Sequence, residues 1–568
     1  MRAQFGKTIE RLAIIALVMF TVVHVSITIS TVVSYGFQHP FQDQYRLIVR
    51  YLTVPFPDSV LLLENGHRPI FPGLVRCAQL TYLHGQQWLE ATAAAVAAFA
   101  SVFWLLLQCR KQGQNTLVRV TLYASVLTLF WNANARMFIH AHEASHLFYV
   151  LLGLVVAIEM LWRHIESGGL RYLWGAIGAC LFATFSFGPG FIVFAAVLGL
   201  AILHRAATRT LVLLVCATGF AFILYFLLLP GAEGVQKSGQ GFDFASVLFF
   251  AFARVGAAVY ELLVHVVRDD DSRIGLSALA GLIATLGILA EPLSRWLRRE
   301  RFDKLEHIGI GMMIFGLVTN TLIAIQRGGY FLDAPEQLFA DRYIFWSCVF
   351  WVGVLIYCCV RLSRLDAPAS WVVAILLIVC GTPAIARADY LHAWSAAVYR
   401  GVEQAALSLK LNIKDDARVE PMSDLIPGTA YVAAKVMREK GVSLFSNPNW
   451  SRVGATIPLT PNTALIGVTT EPVKAGAGVQ ALFASGYLDR DVARRLSDAT
   501  IWAATSSGQV IGRCALTGKL GESRRWRGYM GTPFDLVECY LLSAERSPTW
   551  LVAEQDGKFK SLGQLSWR

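Results

Sequence analysis

The chain has 568 residues, of which 55% are hydrophobic and only 16% are charged. A soluble domain carries about 25% charged residues, so this composition excludes a protein that is wetted on all sides. The net charge of +11 does not indicate nucleic-acid binding, because the basic residues are dispersed in short turns between apolar runs, where they set membrane orientation. The sequence therefore predicts a multi-pass membrane protein with no nucleic-acid partner.

The first apolar run, 12–34, is too long for the core of a signal peptide and is interpreted as a retained first helix with a cytoplasmic N-terminus. The further apolar runs that reach or approach the length of a span are 89–108, 117–133, 144–162, 172–187, 189–204, 211–229, 274–293, 308–326, 343–360 and 371–387. Short basic turns stay inside, above all the cluster 295–304. We predict about eleven transmembrane helices.

The apolar stretch 242–267 is an exception, because it contains Arg254 and Glu261. Counting it as a span would place the basic cluster 295–304 outside, so we interpret it as an interfacial or re-entrant helix on the outer side. The outer segments are then the loops 35–88, 230–273 and 327–342 and the tail from about 388. We expect a bacterial inner-membrane protein whose C-terminal domain is periplasmic.

The residue pattern of the tail changes along its length. Helices are predicted over 394–411 and 429–440, and short alternating runs after Pro458 are typical of a small β-sandwich. Cys514 and Cys539 could pair in an oxidising compartment. The predicted fold is therefore a polytopic all-α membrane protein with an α+β tail, divided into a transmembrane domain at 1–390, a helical linker region at 391–455 and a β-sandwich at 456–568.

The first outer loop holds the best candidates for chemistry. Asp43 lies just beyond the first span, at the height of a lipid phosphate, and could act as a general base toward a sugar hydroxyl or ligate a divalent cation. The alternative is a solvated loop carboxylate. Further on, Glu64, His67 and Arg68 stand within five residues, and Arg68 suits bidentate phosphate contact. The alternative for this group is a helix-capping turn.

The last outer loop leads into an apolar run through Arg342 and Tyr343. Arg342 could neutralise the phosphate that leaves a lipid-linked donor, or it could extend to lipid phosphate without specificity. Asp333, in the same loop, is a candidate contact for a substrate or a metal ion.

A further motif, His-Glu-Ala-Ser-His at 142–146, matches the zinc metalloprotease signature. On a helix His142 and His146 share a face, Glu143 could activate a zinc-bound water, and His140 adds a third imidazole. No convincing Asp-Gly partner element of an intramembrane protease follows, because the sequence Leu-Asp-Ala at 332–334 lacks the glycine. The alternatives are metal or substrate contacts in a transferase and a structural interface cluster.

Several of these features together resemble the GT-C fold. They are the acid in a long first periplasmic loop, the sequence Glu-Asn-Gly-His-Arg-Pro at 64–69, and Arg-Tyr at 342–343 before a late helix containing Phe and Trp. More narrowly, about residues 1–450 are similar to bacterial integral-membrane proteins proposed to be GT-C glycosyltransferases. The resemblance implies a polyprenyl-phosphate-linked sugar donor and Asp43 as the catalytic base or metal site. Many GT-C enzymes have an acidic pair here, whereas glutamines flank Asp43.

We therefore predict a glycosyltransferase that moves a sugar from a polyprenyl-phosphate donor to a glycan or glycolipid acceptor at the periplasmic surface, with inversion at the anomeric carbon. Asp43 would be the base, and the donor phosphate would be bound by Arg68, His67, Arg342 and Tyr343. Membrane lipids are the remaining expected partner. The alternatives are a flippase of lipid-linked glycans, an intramembrane zinc protease and a non-enzymatic glycan-binding protein.

Overall fold

The structure is a computed structural model of the chain. It describes residues 2–112, 116–229, 243–264, 266–364, 375, 384, 390–424, 426–446, 452–460, 464–474, 480–489, 492, 496, 499–519, 534–542, 548–555 and 557–567. The chain divides into two compact units and passes between them several times. The first unit comprises Met1–Ser34, Val60–Val75 and Glu90–Leu391, and the second comprises Tyr35–Ser59, Arg76–Leu89 and His392–Arg568.

The first unit consists of helices, and the second unit also contains helices. They are α1 Arg2–Tyr35, α2 Gln44–Thr53, α3 Asp58–Leu61, α4 Ile70–Tyr82, α5 Trp88–Gln112, α6 Thr116–Leu129, α7 Ala135–Ile139, α8 Ala141–Ser167, α9 Leu170–Thr184, α10 Ile192–Leu203, α11 Thr208–Ile223, α12 Phe244–Val255, α13 Ala257–Leu263, α14 Asp270–Leu297, α15 Lys304–Asp333, α16 Asp341–Arg364, α17 Tyr390–Lys410, α18 Asp416–Val419 and α19 Thr429–Lys440.

Seven helical segments among the described residues are long and apolar enough to cross a membrane. They are α1, α5, α8, α14, α15, α16 and the segment Thr208–Leu227, in which a π-helical turn continues α11. These correspond to seven of the predicted spans. Three others form helices that are shorter than predicted: α6 has 14 residues, α9 has 15 and α10 has 12, and about 20 are needed to cross the hydrocarbon. The predicted span 371–387 lies outside the described residues, apart from positions 375 and 384.

The stretch predicted to be interfacial or re-entrant is a pair of helices, α12 and α13, bent by 69°. This bend is compatible with a broken span or with a re-entrant loop. It occurs at Gly256, where an added Cβ would lie 2.0 Å from the Ser277 carbonyl oxygen in α14. Because Gly256 has no side chain, α14 can pack closely against the bend between α12 and α13.

Ion pairs join the helix ends at one side of the first unit. Arg295 at the end of α14 bonds to Glu306 at the start of α15 at 2.7 Å, and Arg364 at the end of α16 bonds to the same carboxylate at 3.0 Å. Lys304 reaches Glu159 near the end of α8 at 2.8 Å. The starts of α8 and α16 therefore lie at the other side, which we call the site end.

The helical part of the second unit is built on a small apolar core. Tyr45 of α2 is completely buried and packs with Ala405 of α17 and with Ala433 and Met437 of α19. The two helices predicted in the tail are confirmed as α17 and α19.

The predicted β-sandwich is wrong: the strands close into a single barrel. The strands are β1 Leu465–Lys474, β2 Gln480–Asp489, β3 Thr500–Thr505, β4 Val510–Lys519, β5 Phe534–Leu541, β6 Thr549–Gln555 and β7 Lys558–Trp567, in the order β1-β2-β5-β4-β3-β6-β7. The barrel is closed because β1 also pairs in parallel with β7, with Leu465 opposite Gln564. Alternation of inward and outward residues is common to sandwiches and barrels, so the sequence pattern did not distinguish them.

Cys514 of β4 and Cys539 of β5 are directly opposite in the barrel and form a disulfide. The pairing considered from sequence is thus confirmed.

Candidate functional site

A tight turn precedes α4 and carries three of the predicted residues. Glu64 and His67 exchange backbone hydrogen bonds at 2.7 and 2.8 Å, and Asn65 and Gly66 between them have φ of 49° and 79°. Two successive residues with positive φ are typical of a two-residue hairpin turn, which Asn-Gly favours. The turn is therefore a hairpin and not the cap of a helix.

Arg68 anchors this hairpin to the end of α11. Its side chain is buried and donates to the carbonyl oxygens of Tyr225 at 2.5 Å, Leu61 at 2.8 Å and Leu229 at 3.0 Å. Burial lowers the pKa of the guanidinium from its ordinary value. These contacts give Arg68 a positioning role, and its predicted contact with a donor phosphate stays a prediction.

His67 is half-buried and contacts an aromatic ring. Its ring lies 4.6 Å from that of Phe187, and a Cβ added at Gly188 would lie 2.3 Å from its Nδ1 atom. Burial lowers the pKa of His67 to about 4. The imidazole is therefore neutral at pH 7, and it can contact a phosphate only as a neutral group.

The two outer histidines of the His-Glu-Ala-Ser-His motif lie in the first turns of α8 and share a face, as predicted. Their rings are 4.6 Å apart. The Oε1 atom of Glu64 lies 3.0 Å from Nε2 of His142 and 3.9 Å from Nε2 of His146. All three side chains are buried, and one ligand atom from each lies within 4.8 Å of the others. The hairpin and the helix thus bring together the Glu64 carboxylate and the His142 and His146 imidazoles, which we call the histidine group. A carboxylate and two imidazoles are the donor set of a metal site.

Glu143 interacts with a second group of charges. It forms an ion pair with Arg136 of α7, and its Oε1 atom is 3.9 Å from Nδ1 of His140. Asp341 at the start of α16 interacts electrostatically with both Arg136 and Glu143, and Arg342 interacts with Glu143. We call Arg136, Glu143, Asp341 and Arg342 the charged cluster. It adjoins the histidine group, because Glu143 directly follows His142.

Tyr343 connects the charged cluster to α12. The Arg342 guanidinium lies 4.9 Å from the centre of the Tyr343 ring, and so does the guanidinium of Arg254. Arg254 is buried and also donates to the carbonyl oxygen of Leu338 at 2.9 Å. Asp333 is exposed at the end of α15 and is not a member of the buried histidine group.

Asp43 belongs to the second unit, whereas Arg68 and Arg342 belong to the first. It lies directly before α2 and forms an ion pair of 3.7 Å with Arg46, which also binds Asp424 at 2.7 Å. Its predicted role as the base stays a prediction.

Sequence reasoning did not select Arg136. The signal was nevertheless present, because Arg136 lies between two apolar runs in a turn assigned to the outer side, where arginine is disfavoured. A cation at such a place is a candidate for function.

The fold and this site define only a broad class of protein. Its members have the apolar helices of a multi-pass membrane protein and a C-terminal seven-stranded barrel. Comparison with models of known protein families and with curated proteins finds no match for the chain. The residues at the site end therefore provide the clues to function.

Proposed function

We propose that the protein is a membrane glycosyltransferase of the GT-C type, which transfers a sugar from a polyprenyl-phosphate donor to a glycan or glycolipid at the outer face of a bacterial inner membrane. One observation carries the proposal: the charged cluster and the histidine group lie together among the ends of apolar helices. Ionisable groups placed in such helices are rare, and they commonly mark substrate sites.

The distribution of charge supports this orientation. The end opposite the site end carries Arg163, Arg295, Lys304, Arg361 and Arg364. Basic residues near span ends favour the cytoplasm. The site end would then face the periplasm, where lipid-linked sugars are used.

The chemistry assigned to these residues is a single displacement. The acceptor hydroxyl attacks the anomeric carbon and gives its proton to a carboxylate, for which Asp43 is the candidate. The bond from that carbon to the phosphate oxygen breaks as the new bond forms, which inverts the anomeric centre. Arg342 stabilises the charge that develops on the departing polyprenyl phosphate, as fixed cations do in other transfers of this kind.

The test is transfer by the full-length protein, reconstituted with polyprenyl-phosphate sugars and with surface glycans from a strain that lacks the gene. Removal of a charge that stabilises the transition state costs about 100- to 1,000-fold in kcat, so Arg342→Gln should lose that much at an unchanged thermal unfolding midpoint. The matched control is Arg273→Gln in α14, which removes an arginine that is paired with Asp270 at 2.6 Å. Full activity in both Arg342→Gln and Asp43→Asn would overturn the proposal.

A metal-dependent hydrolase is the second candidate, and the proximity of Glu64 to His142 and His146 favours it. In that case Glu143 would activate a metal-bound water, for which its ion pair with Arg136 would have to open. Glu143→Gln should then abolish the cleavage of a membrane-embedded peptide, and sugar transfer should be undetectable in the wild type.

A further inference from the structure

We propose that Glu64, His142 and His146 bind one divalent transition-metal ion of the zinc type, with a fourth coordination position left open. Ligands at about 2.1 Å from a tetrahedral zinc ion are about 3.4 Å from one another. The distances from Glu64 Oε1 to the two imidazole nitrogens, 3.0 and 3.9 Å, lie on either side of that value. The two imidazole ligand atoms lie within 4.8 Å of each other, so they would have to approach by up to about 1.4 Å to reach tetrahedral spacing.

Burial makes a bound cation the better explanation of this group. The three side chains are only 3 to 6% exposed, and an ionised carboxylate in such surroundings requires a compensating charge. An ion pair of Glu64 with a protonated His142 would supply one. It would not require a second imidazole near the same oxygen, whereas a metal ion uses both.

The ligands are held by elements that are themselves fixed. The hairpin that carries Glu64 is anchored by the three hydrogen bonds of Arg68 to carbonyl oxygens. The His146 ring stacks on Phe187 at 4.8 Å with an interplanar angle of 7°. Ser145, between the histidines, donates to the buried Glu90 carboxylate at 2.9 Å. Such supporting contacts orient metal ligands and raise their affinity.

The donor set selects the ion. Magnesium and calcium prefer oxygen ligands, whereas two imidazoles with one carboxylate suit zinc, iron or manganese. Catalytic zinc sites commonly have three protein ligands and one open position. One carboxylate leaves a bound divalent ion with a net charge of +1, so an anionic oxygen, such as that of a phosphate, would complete the coordination. The site stands independently of the transferase proposal.

The test uses the full-length protein, purified in lipid nanodiscs with an affinity tag that lacks histidine. We expect about one equivalent of zinc by elemental analysis, removable by a chelator and restored by added zinc. His146→Ala and the nearly isosteric Glu64→Gln should each weaken zinc binding at least 10-fold. The matched control is His164→Ala, a buried histidine on the same helix that hydrogen-bonds to Thr210 at 3.0 Å and should leave the zinc affinity unchanged.

Wild-type protein that binds no more zinc than His146→Ala would overturn the proposal and leave an ion pair between Glu64 and His142. Should His146→Ala fail to fold, the comparison of Glu64→Gln with the wild type decides. The ligand-field spectrum of the cobalt-substituted wild type gives a second readout that needs no variant: bands typical of tetrahedral cobalt are expected, and their absence counts against the site. No sugar donor is used in these measurements. If the protein binds zinc but transfers no sugar, only the transferase proposal is refuted.

Discussion

Lys410 belongs to a half-buried group of charged side chains in the second unit. Its ammonium nitrogen lies 3.3 Å from Nε2 of His39, which is 3.6 Å from the Glu403 carboxylate. Burial and the nearby Arg513 guanidinium lower the pKa of Lys410 to about 7, although Glu403 acts in the opposite direction. Burial also raises the pKa of Glu403. The group therefore binds protons differently in the folded and the unfolded chain.

This difference predicts how stability depends on pH. Between pH 7 and 10.5 the unfolded chain holds a proton on Lys410 that the folded chain lacks. The free energy of unfolding should therefore rise with pH in this window, by at most about 1.4 kcal/mol per pH unit from this group. Lys410→Met should flatten the rise, as measured by denaturant unfolding of the detergent-solubilised protein with tryptophan fluorescence.

Lys414→Met is the control, because the Lys414 side chain is 66% exposed. An equal slope in Lys410→Met and in the wild type would contradict the assignment.

For the helices and strands, the sequence predicted the features that depend only on interactions between residues near one another in the chain. That His142 and His146 share a helix face followed from the helical repeat alone. The approach of Glu64 to them did not, because it depends on a hairpin whose position is fixed by Arg68 and the end of α11, far along the chain. The barrel was missed for the same reason, since its closure depends on pairing between β1 and β7.

Close helix crossings provide a prediction at this scale. A Cβ added at Gly281 of α14 would lie 2.0 Å from the Phe252 carbonyl oxygen of α12, whereas one added at Gly287 on the same helix meets nothing within 4 Å. Gly281→Ala should destabilise the protein by about 1–3 kcal/mol, because the backbones must separate. Gly287→Ala should be neutral or stabilise it by up to about 1 kcal/mol. Thermal unfolding midpoints in detergent that shift equally for both variants would exclude this packing.

The orientation of the whole molecule across the membrane can be measured. Glu336, at the site end between α15 and α16, and Arg298, after α14 at the opposite end, are both exposed. If the basic end is cytoplasmic, a membrane-impermeant maleimide should label Glu336→Cys in intact cells. It should label Arg298→Cys only after the inner membrane has been opened. Both variants are made with Cys216, which is exposed, replaced by serine, and the reverse pattern would refute the predicted topology.

The division of the chain between two units has a consequence for biogenesis. The second unit is assembled from Tyr35–Ser59, Arg76–Leu89 and His392–Arg568, so its earliest segments leave the ribosome long before the partners that cover Tyr45. The barrel likewise closes only when its last strand, β7, meets its first. A nascent chain halted after α16 would therefore present the uncovered apolar side of α2 to chaperones and proteases. Surveillance in the cell can thus recognise copies truncated before α17 by these unburied residues.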